Sequence, residues 1–270
     1  MQTQTDYNQR RFGGIARLYG DDGLLRLNKA HVCVIGLGGV GSWVTESLAR
    51  SAVGQLTLVD MDVVSESNIN RQLVATQDEI GRDKGLVMRD RIEQINDQCK
   101  VNVVDEFIRA DNLTEIVLPE FDYVIDCIDD FRVKAALISY CKNNKINMLT
   151  TGGAGGQIDP SKITQADLSN TQQDVLLAKT RKLLRQEYGF ARNVKRSFGI
   201  PCVYSNEQLV YPDGNGGVSP QRPPVDPNAD ENRNALNCAG GMGSITHVTG
   251  AFAFFASGFV LNQLAKPNAD

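Results

Sequence analysis

The chain has only two histidines, and none of its six cysteines (Cys33, Cys99, Cys127, Cys141, Cys202 and Cys238) forms a CxxC pair in 270 residues. Structural zinc centres draw on closely spaced thiolates and imidazoles, so this scarcity argues against zinc. Cys33 and Cys127 fall in apolar runs and read as small core residues. No secretory leader is recognisable, which points to a cytoplasmic protein with reduced thiols rather than a disulfide framework. His31 opens one apolar run and His247 lies within another, so both read as structural rather than as general bases. Basic charge is not in excess either: 28 Lys and Arg against 32 Asp and Glu leave a net charge of -4. Taken whole, the chain lacks the basic footprint usual for nucleic-acid binders. Cys238 to Leu264 contains no Asp, Glu, Lys or Arg and is long enough to cross a bilayer. Its Gly, Ser, Thr, Asn, Gln and His residues argue against a membrane span and for a helix buried in a core or a subunit interface.

What is present begins with an apolar strand, His31 to Ile35, followed at once by Gly36-Leu37-Gly38-Gly39-Val40-Gly41 and a segment from Ser42 to Arg50 with helical apolar spacing. A GxGxxG turn between a strand and a helix suits a phosphate, although many glycine-rich turns bind nothing and the pattern alone is weak. Gly36 permits the turn, Gly38 lets backbone approach a phosphate, Gly39 stands beside it, and Gly41 lets the helix lie near the strand. The second strand, Gln55 to Asp60, ends in a carboxylate placed to accept ribose hydroxyls. Up to this point a nicotinamide dehydrogenase fits equally well.

Residues 61–84 separate the two readings. They supply Arg71 and Lys84, cations suited to a triphosphate whose charge shifts during adenylation, although solvated surface cations would give the same spacing. After a candidate element from Val101 to Phe107, a further strand from Tyr123 to Ile128 leads to Asp129-Asp130, at the crevice end of a parallel sheet. Asp129 is the candidate magnesium ligand, and its alternative role is a cap for the helix from Arg132 to Asn143.

The ordered motifs GxGGxG, LVDMDxVxxSNxNRQ, GxxK and DCxD resemble the ubiquitin-activating-enzyme-like adenylating superfamily. Within it, RFGGIARLYG, TTGGAGGQIDP and the spacing to Cys238 are similar to the bacterial tRNA threonylcarbamoyladenosine dehydratase family. The resemblance implies ATP and Mg2+ as cofactors, with Asp60 on the ribose and Asp62, Ser67, Asn68, Arg71 and Lys84 around the phosphates. It implies a homodimer in which an N-terminal arginine serves the neighbouring subunit; the motif is displaced here and leaves Arg17 as the substitute. It also implies Cys238 as a candidate covalent residue, with packing as the alternative, and a sulfur-relay protein as a possible partner. The sulfur-carrier activators of the superfamily commonly carry two CxxC pairs, which this chain lacks, so adenylation of a ubiquitin-like sulfur carrier is the second reading.

The substrate implied by the resemblance is tRNA, and one local feature agrees with it. Lys179, Arg181, Lys182, Arg185, Arg192, Lys195 and Arg196 face a single acid, Glu187, within 18 residues. Such a block attracts phosphates, and Tyr188 and Phe190 are candidate stacking faces for bases. An amphipathic helix with Leu183 and Leu184 on the core side is the alternative. Alternating strands and helices predict an α/β, doubly wound, Rossmann-like and mostly parallel sheet with a C-terminal elaboration. The expected organisation is one adenylating domain: a nucleotide-binding core over about 30–152, a basic and loop-rich part over about 160–237, and an apolar helix over about 238–264. The Pro- and Gly-rich stretch from Tyr211 to Asn234 is expected to be an exposed loop.

Overall fold

In the computed structural model, residues 4–193, 196–221 and 242–267 are described. The chain opens with α1 (Gln4–Lys29), broken by Gly20 at φ 74°, a left-handed conformation in which glycine carries no steric penalty. Then follow β1 (His31–Ile35), α2 (Gly41–Arg50), β2 (Gln55–Val59), α3 (Lys84–Ile95), β3 (Lys100–Val104), a single-turn α4 (Leu113–Ile116), β4 (Tyr123–Asp126) and α5 (Phe131–Asn143). The remainder comprises β5 (Met148–Thr151), β6 (Ile163–Asp167), α6 (Val175–Glu187), β7 (Pro201–Ser205), the short strands β8 (Tyr211–Pro212) and β9 (Val218–Ser219), and α7 (Thr246–Leu264).

Seven strands form one sheet in the order β3-β2-β1-β4-β5-β7-β6, parallel throughout except for β6 against β7. The chain runs outward from β1 to β3, then returns to β4 on the other side of β1. The C-terminal ends of β1 and β4 therefore flank a topological switch point, where open α/β sheets bind ligands.

Both faces of the sheet are covered, which explains why its central strands read as continuous apolar runs rather than alternating ones. Val32, Val34, Leu56, Leu58 and Ile125 pack towards α2, α3 and α7, whereas Cys33, Ile35, Val124 and Met148 pack towards α5 and α6. Val248, Phe252, Ala253, Ala256 and Val260 bring α7 into the first core, and Ser257 bonds Ser47 of α2 at 2.8 Å. Among the described residues, no helix is long and apolar enough to cross a membrane. The free cysteines Cys33, Cys141 and Cys202 are buried, and burial pushes their thiols up, so they are poor nucleophiles at neutral pH.

The mostly parallel, doubly wound sheet is as expected. Some boundaries differ: the strand from Tyr123 ends at Asp126 rather than Ile128, and that from Gln55 ends at Val59. The segment expected to be an exposed loop from Tyr211 contains the two-stranded ribbon β8–β9 before residue 222. The apolar C-terminal helix starts at Thr246, because Ile245 is extended at φ -150°.

Candidate active site

The glycine loop follows β1 without a spare residue. Gly36 turns at φ 87°, and a Cβ there would stand 3.1 Å from the Cys127 carbonyl oxygen. A Cβ on Gly41 would fall 1.7 Å from the Gly36 oxygen, so α2 can start against the turn only with glycine at that position. Gly36, Gly38 and Gly39 line the cavity; Gly41 lies beneath the loop and does not. Its part is close packing, as the motif requires, and not ligand contact. No side chain caps α2 at Val40; the Ser42 N–H bonds the Gly38 carbonyl at 3.2 Å, and the other N–H groups of the first turn are left to an anion.

Asp60, just after β2, ties the loop to the sheet. One carboxylate oxygen accepts the Leu37 N–H at 2.6 Å and the other accepts the Asp62 N–H at 2.8 Å. Burial pushes its carboxyl up, against Lys84 and these two N–H groups, which pull it down. A carboxylate offers about four lone-pair sites, so two remain for ribose hydroxyls.

Lys84 is the first residue of α3 and donates to Asp62 at 2.8 Å. Its side chain is 5% exposed against 52% for Asp62, so a solvated surface cation is excluded. Arg71 donates to the Ser67 carbonyl and to Asn70 Oδ1, while its own carbonyl accepts Trp43 Nε1 at 3.1 Å and Thr249 Oγ1 at 3.2 Å. Thr246 and Ser244 also bond Asn70, so the N-terminal end of α7 holds the Arg71 segment in place. Asn68 closes a reciprocal capping box with Ser65, and Ser67 bonds Ser65 at 2.9 Å. These two residues line the cavity while shaping their own turn.

Asp129 and Asp130 divide the two roles open to them. Asp130 caps α5 by accepting the Arg132 and Val133 N–H groups at 2.7 and 3.0 Å. Asp129 makes no hydrogen bond or ion pair among the described residues and faces the same cavity as Lys84 and Arg71. No group of three or more His, Cys, Asp or Glu suited to a metal occurs among the described residues. One unpartnered carboxylate fits magnesium, which takes one or two protein carboxylates and completes its shell with phosphate oxygens and water.

The cavity, about 790 Å³, thus gathers Asp60, Asp62, Ser67, Asn68, Arg71, Lys84 and Asp129 at the switch point. It also contains residues that pattern reading missed. Gln72 is buried with its Oε1 unpaired, and Glu106 to Arg109 form a wall after β3. Beneath Cys127 lies a fully buried ion pair, Lys134 to Asp126 at 2.8 Å, completed by Thr150 at 2.7 Å. A lysine inside VKAALI and an aspartate inside YVID were the available signals, since a charge on an apolar face calls for a partner.

The glycine-rich segment after β5 forms the opposite wall. Asp174 caps α6 and accepts the Gly153 N–H at 2.9 Å, and a Cβ on Gly152 would lie 2.1 Å from its carboxylate. Burial pushes the Asp174 carboxyl up.

The remaining expectations are only partly met. Arg17 is exposed on α1 and does not line this cavity. Cys238 and Lys195 lie outside the described residues. In the basic block the helix ends at Glu187. Arg181 is half-buried against Thr171, its pKa pulled down by burial, and Arg185 stacks 5.1 Å from the Phe198 ring. Phe190 is buried edge-on to Phe198 at 5.0 Å, so it offers no face to a base. Leu184 is fully buried, as expected for the core side of α6. Lys179, Lys182, Arg192 and Arg196 remain exposed.

An uncapped glycine loop, an acid at the end of β2, a buried lysine and an unpartnered carboxylate around one cavity define the class: an α/β enzyme that uses a nucleotide to adenylate. The chain belongs to the ThiF family, whose model matches residues 12–256. It is 48% identical over 266 residues to the tRNA threonylcarbamoyladenosine dehydratase of Haemophilus influenzae, covering 98% of this chain and 97% of that protein. It is 46% identical over 260 residues to the enzyme of the same name from Escherichia coli K12, covering 96% and 95%. The solved structure of the E. coli enzyme, TcdA, in complex with ATP is similar with a TM-score of 0.84 at 44% identity, over 98% of this chain and 96% of that one.

Proposed function

We propose that this protein is an ATP-dependent tRNA dehydratase that cyclises the threonylcarbamoyl group of the adenosine beside the anticodon. The observation that carries the reading is the meeting of Lys84, Arg71 and Asp129 around an uncapped glycine loop, in a chain nearly half identical to enzymes of that name. The glycine loop and the N-terminus of α2 receive phosphate, and Asp60 receives the ribose. The substrate carboxylate attacks the α-phosphate; the bond to the β-phosphate breaks and pyrophosphate leaves. Lys84 and Arg71 neutralise charge that builds on the phosphates in that step, in a setting prepared before substrate arrives. Asp129 would hold Mg2+, which would supply divalent positive charge to the phosphates. An atom of the neighbouring carbamoyl group then attacks the acyl carbon, AMP leaves with the bonding pair, and a proton is released. The nucleophile is tethered within the substrate, so ring closure needs no enzyme thiol.

The whole chain acts as one adenylating domain, cytoplasmic and homodimeric, with the exposed Lys179, Lys182, Arg192 and Arg196 as tRNA contacts and Arg17 reaching the partner's nucleotide. The test is mass spectrometry of nucleosides from threonylcarbamoylated tRNA after incubation with protein, with and without ATP and Mg2+. An ATP-dependent loss of one water from the modified adenosine is expected. An unchanged nucleoside, with pyrophosphate exchange on a sulfur-carrier protein instead, would replace this reading with the second one.

A further inference from the structure

Beside the nucleotide cavity lies a smaller chamber of about 60 Å³, which shares Asp129, Gly153, Ala154 and Gly155 with it. Its far wall is apolar: Val175 packs against Leu209 and Met242. The lining also carries the buried Asp174 carboxylate, satisfied by the Gly153 and Leu177 N–H groups, and Gln157, whose amide is buried with an acceptor left over. Gln157 is 3% exposed; its Nε2 donates to the Gly153 carbonyl at 2.9 Å, while its Oε1 has no partner. A buried acceptor left alone costs on the order of 1–3 kcal/mol, so an oxygen in this state, on a residue that lines a cavity, is one that a turn of the amide could offer to a donor.

The wall is fixed before any ligand arrives. The Gly156 N–H bonds the Gly243 carbonyl at 2.7 Å, the Gly156 carbonyl accepts the Val210 N–H at 2.9 Å, and Glu207 accepts the Ile158 and Asp159 N–H groups. At roughly 15 Å³ for each water-sized group, the chamber holds about four such groups. That is too small for a base and enough for a short branched side chain. It borders the nucleotide cavity along Asp129 and Gly153 to Gly155, so a side chain seated in it would leave its own carboxylate facing that cavity.

Resting on the functional reading above, we infer that this chamber holds the side chain of the carbamoyl-linked amino acid, with Gln157 Oε1 accepting the threonine hydroxyl. The threonine methyl packs against Leu209 and Met242. The side chain branches one bond from the carboxylate carbon's neighbour, so seating it orients the carboxylate towards the α-phosphate. Gln157 is thereby a specificity-determining residue: a hydroxyl is rewarded, and an isosteric methyl leaves the buried oxygen unpaired.

The experiment uses the full chain with ATP, Mg2+ and anticodon stem-loops carrying threonyl-, valyl- or glycyl-carbamoyl adenosine. Wild type should favour threonyl over valyl by on the order of 10²-fold in kcat/KM. Gln157→Leu should bring that ratio to within about fivefold of unity while ATP affinity is unchanged. A wild-type enzyme that does not distinguish threonyl from valyl, or a Gln157→Leu variant that keeps the preference, overturns the assignment. Should Gln157→Leu fail to fold, Val175→Phe narrows the chamber and should shift preference towards the glycyl substrate at least tenfold; no shift overturns the assignment equally. Absence of wild-type turnover on the threonyl substrate would overturn the functional reading itself, and with it the occupant named for the chamber.

Discussion

Lys134 and Asp126 are both fully buried, and the physics of such a pair is asymmetric. Together they gain little over a well-packed apolar pair, but removal of one partner strands the other charge in a medium that cannot solvate it. Lys134→Met should therefore destabilise the fold by about 3–5 kcal/mol, and Lys134→Met with Asp126→Asn should recover most of that loss. Urea titration of the two variants checks it, and equal losses in both would show that the ion pair is not what matters. Lys84 makes the contrast: its partner Asp62 is half exposed, so Lys84→Ala leaves no stranded charge and its cost should fall on catalysis. At this scale the sequence was legible where a motif names a residue, as at Asp60 and Lys84. It was less so where a residue matters through a partner distant in the chain. Asp126 and Thr150 are 24 positions apart, and although each falls in a motif, DCxD and TTGGAGGQIDP, neither motif points to the other or to Lys134.

Elements were legible in proportion to their apolar continuity. β1, β2 and β4 are buried on both faces and announce themselves as apolar runs; α5 begins within a residue of its expected start at Arg132. The kinked α1 has no comparable stripe, because much of its length is exposed and its helical state depends on packing of Phe12 and Leu24 against Ala52. The strap joining β6 to β7 was also hidden, since one residue organises it. Burial would raise the Asp167 carboxyl, but hydrogen bonds from Ser169, the Phe198 N–H and Ser197 outweigh burial and hold it at about 2. A folded pKa below the unfolded value of about 3.9 contributes stability above that value and loses it as pH falls through about 2. With solvent screening the contribution is on the order of 1 kcal/mol. Asp167→Asn should flatten the acid limb of stability between about pH 4 and 2 in thermal melts at stepped pH. A limb identical to wild type would dismiss the strap as a source of acid sensitivity.

At the scale of the molecule, a net charge of -4 concealed the exposed cations Lys179, Lys182, Arg192 and Arg196, because averages over 270 residues erase a local patch. If they meet RNA phosphates, neutralising Lys182 and Arg192 should lower the salt slope of tRNA affinity by about 0.7 for each single-stranded phosphate lost. An unchanged slope would remove the patch from the interface. Arg17 poses the larger question of assembly. It is exposed on α1 and absent from the wall of its own chain's cavity, so any contact it makes with a nucleotide must cross a subunit boundary. That geometry makes the two halves of a site separable. If the chain pairs as proposed and Arg17 serves the partner's nucleotide, Arg17→Ala and Lys84→Ala should each cripple the enzyme alone, for each homodimer would lack one cation at both sites. After unfolding and refolding an equal mixture, half of the dimers combine one subunit of each kind. One site in such a dimer then has both cations and the other has neither, so about a quarter of wild-type turnover should return, as closed two-fold symmetry requires. Turnover that stays at the level of the separate variants would place Arg17 outside the reaction or the chain outside a dimer; sedimentation of the refolded mixture distinguishes those two outcomes.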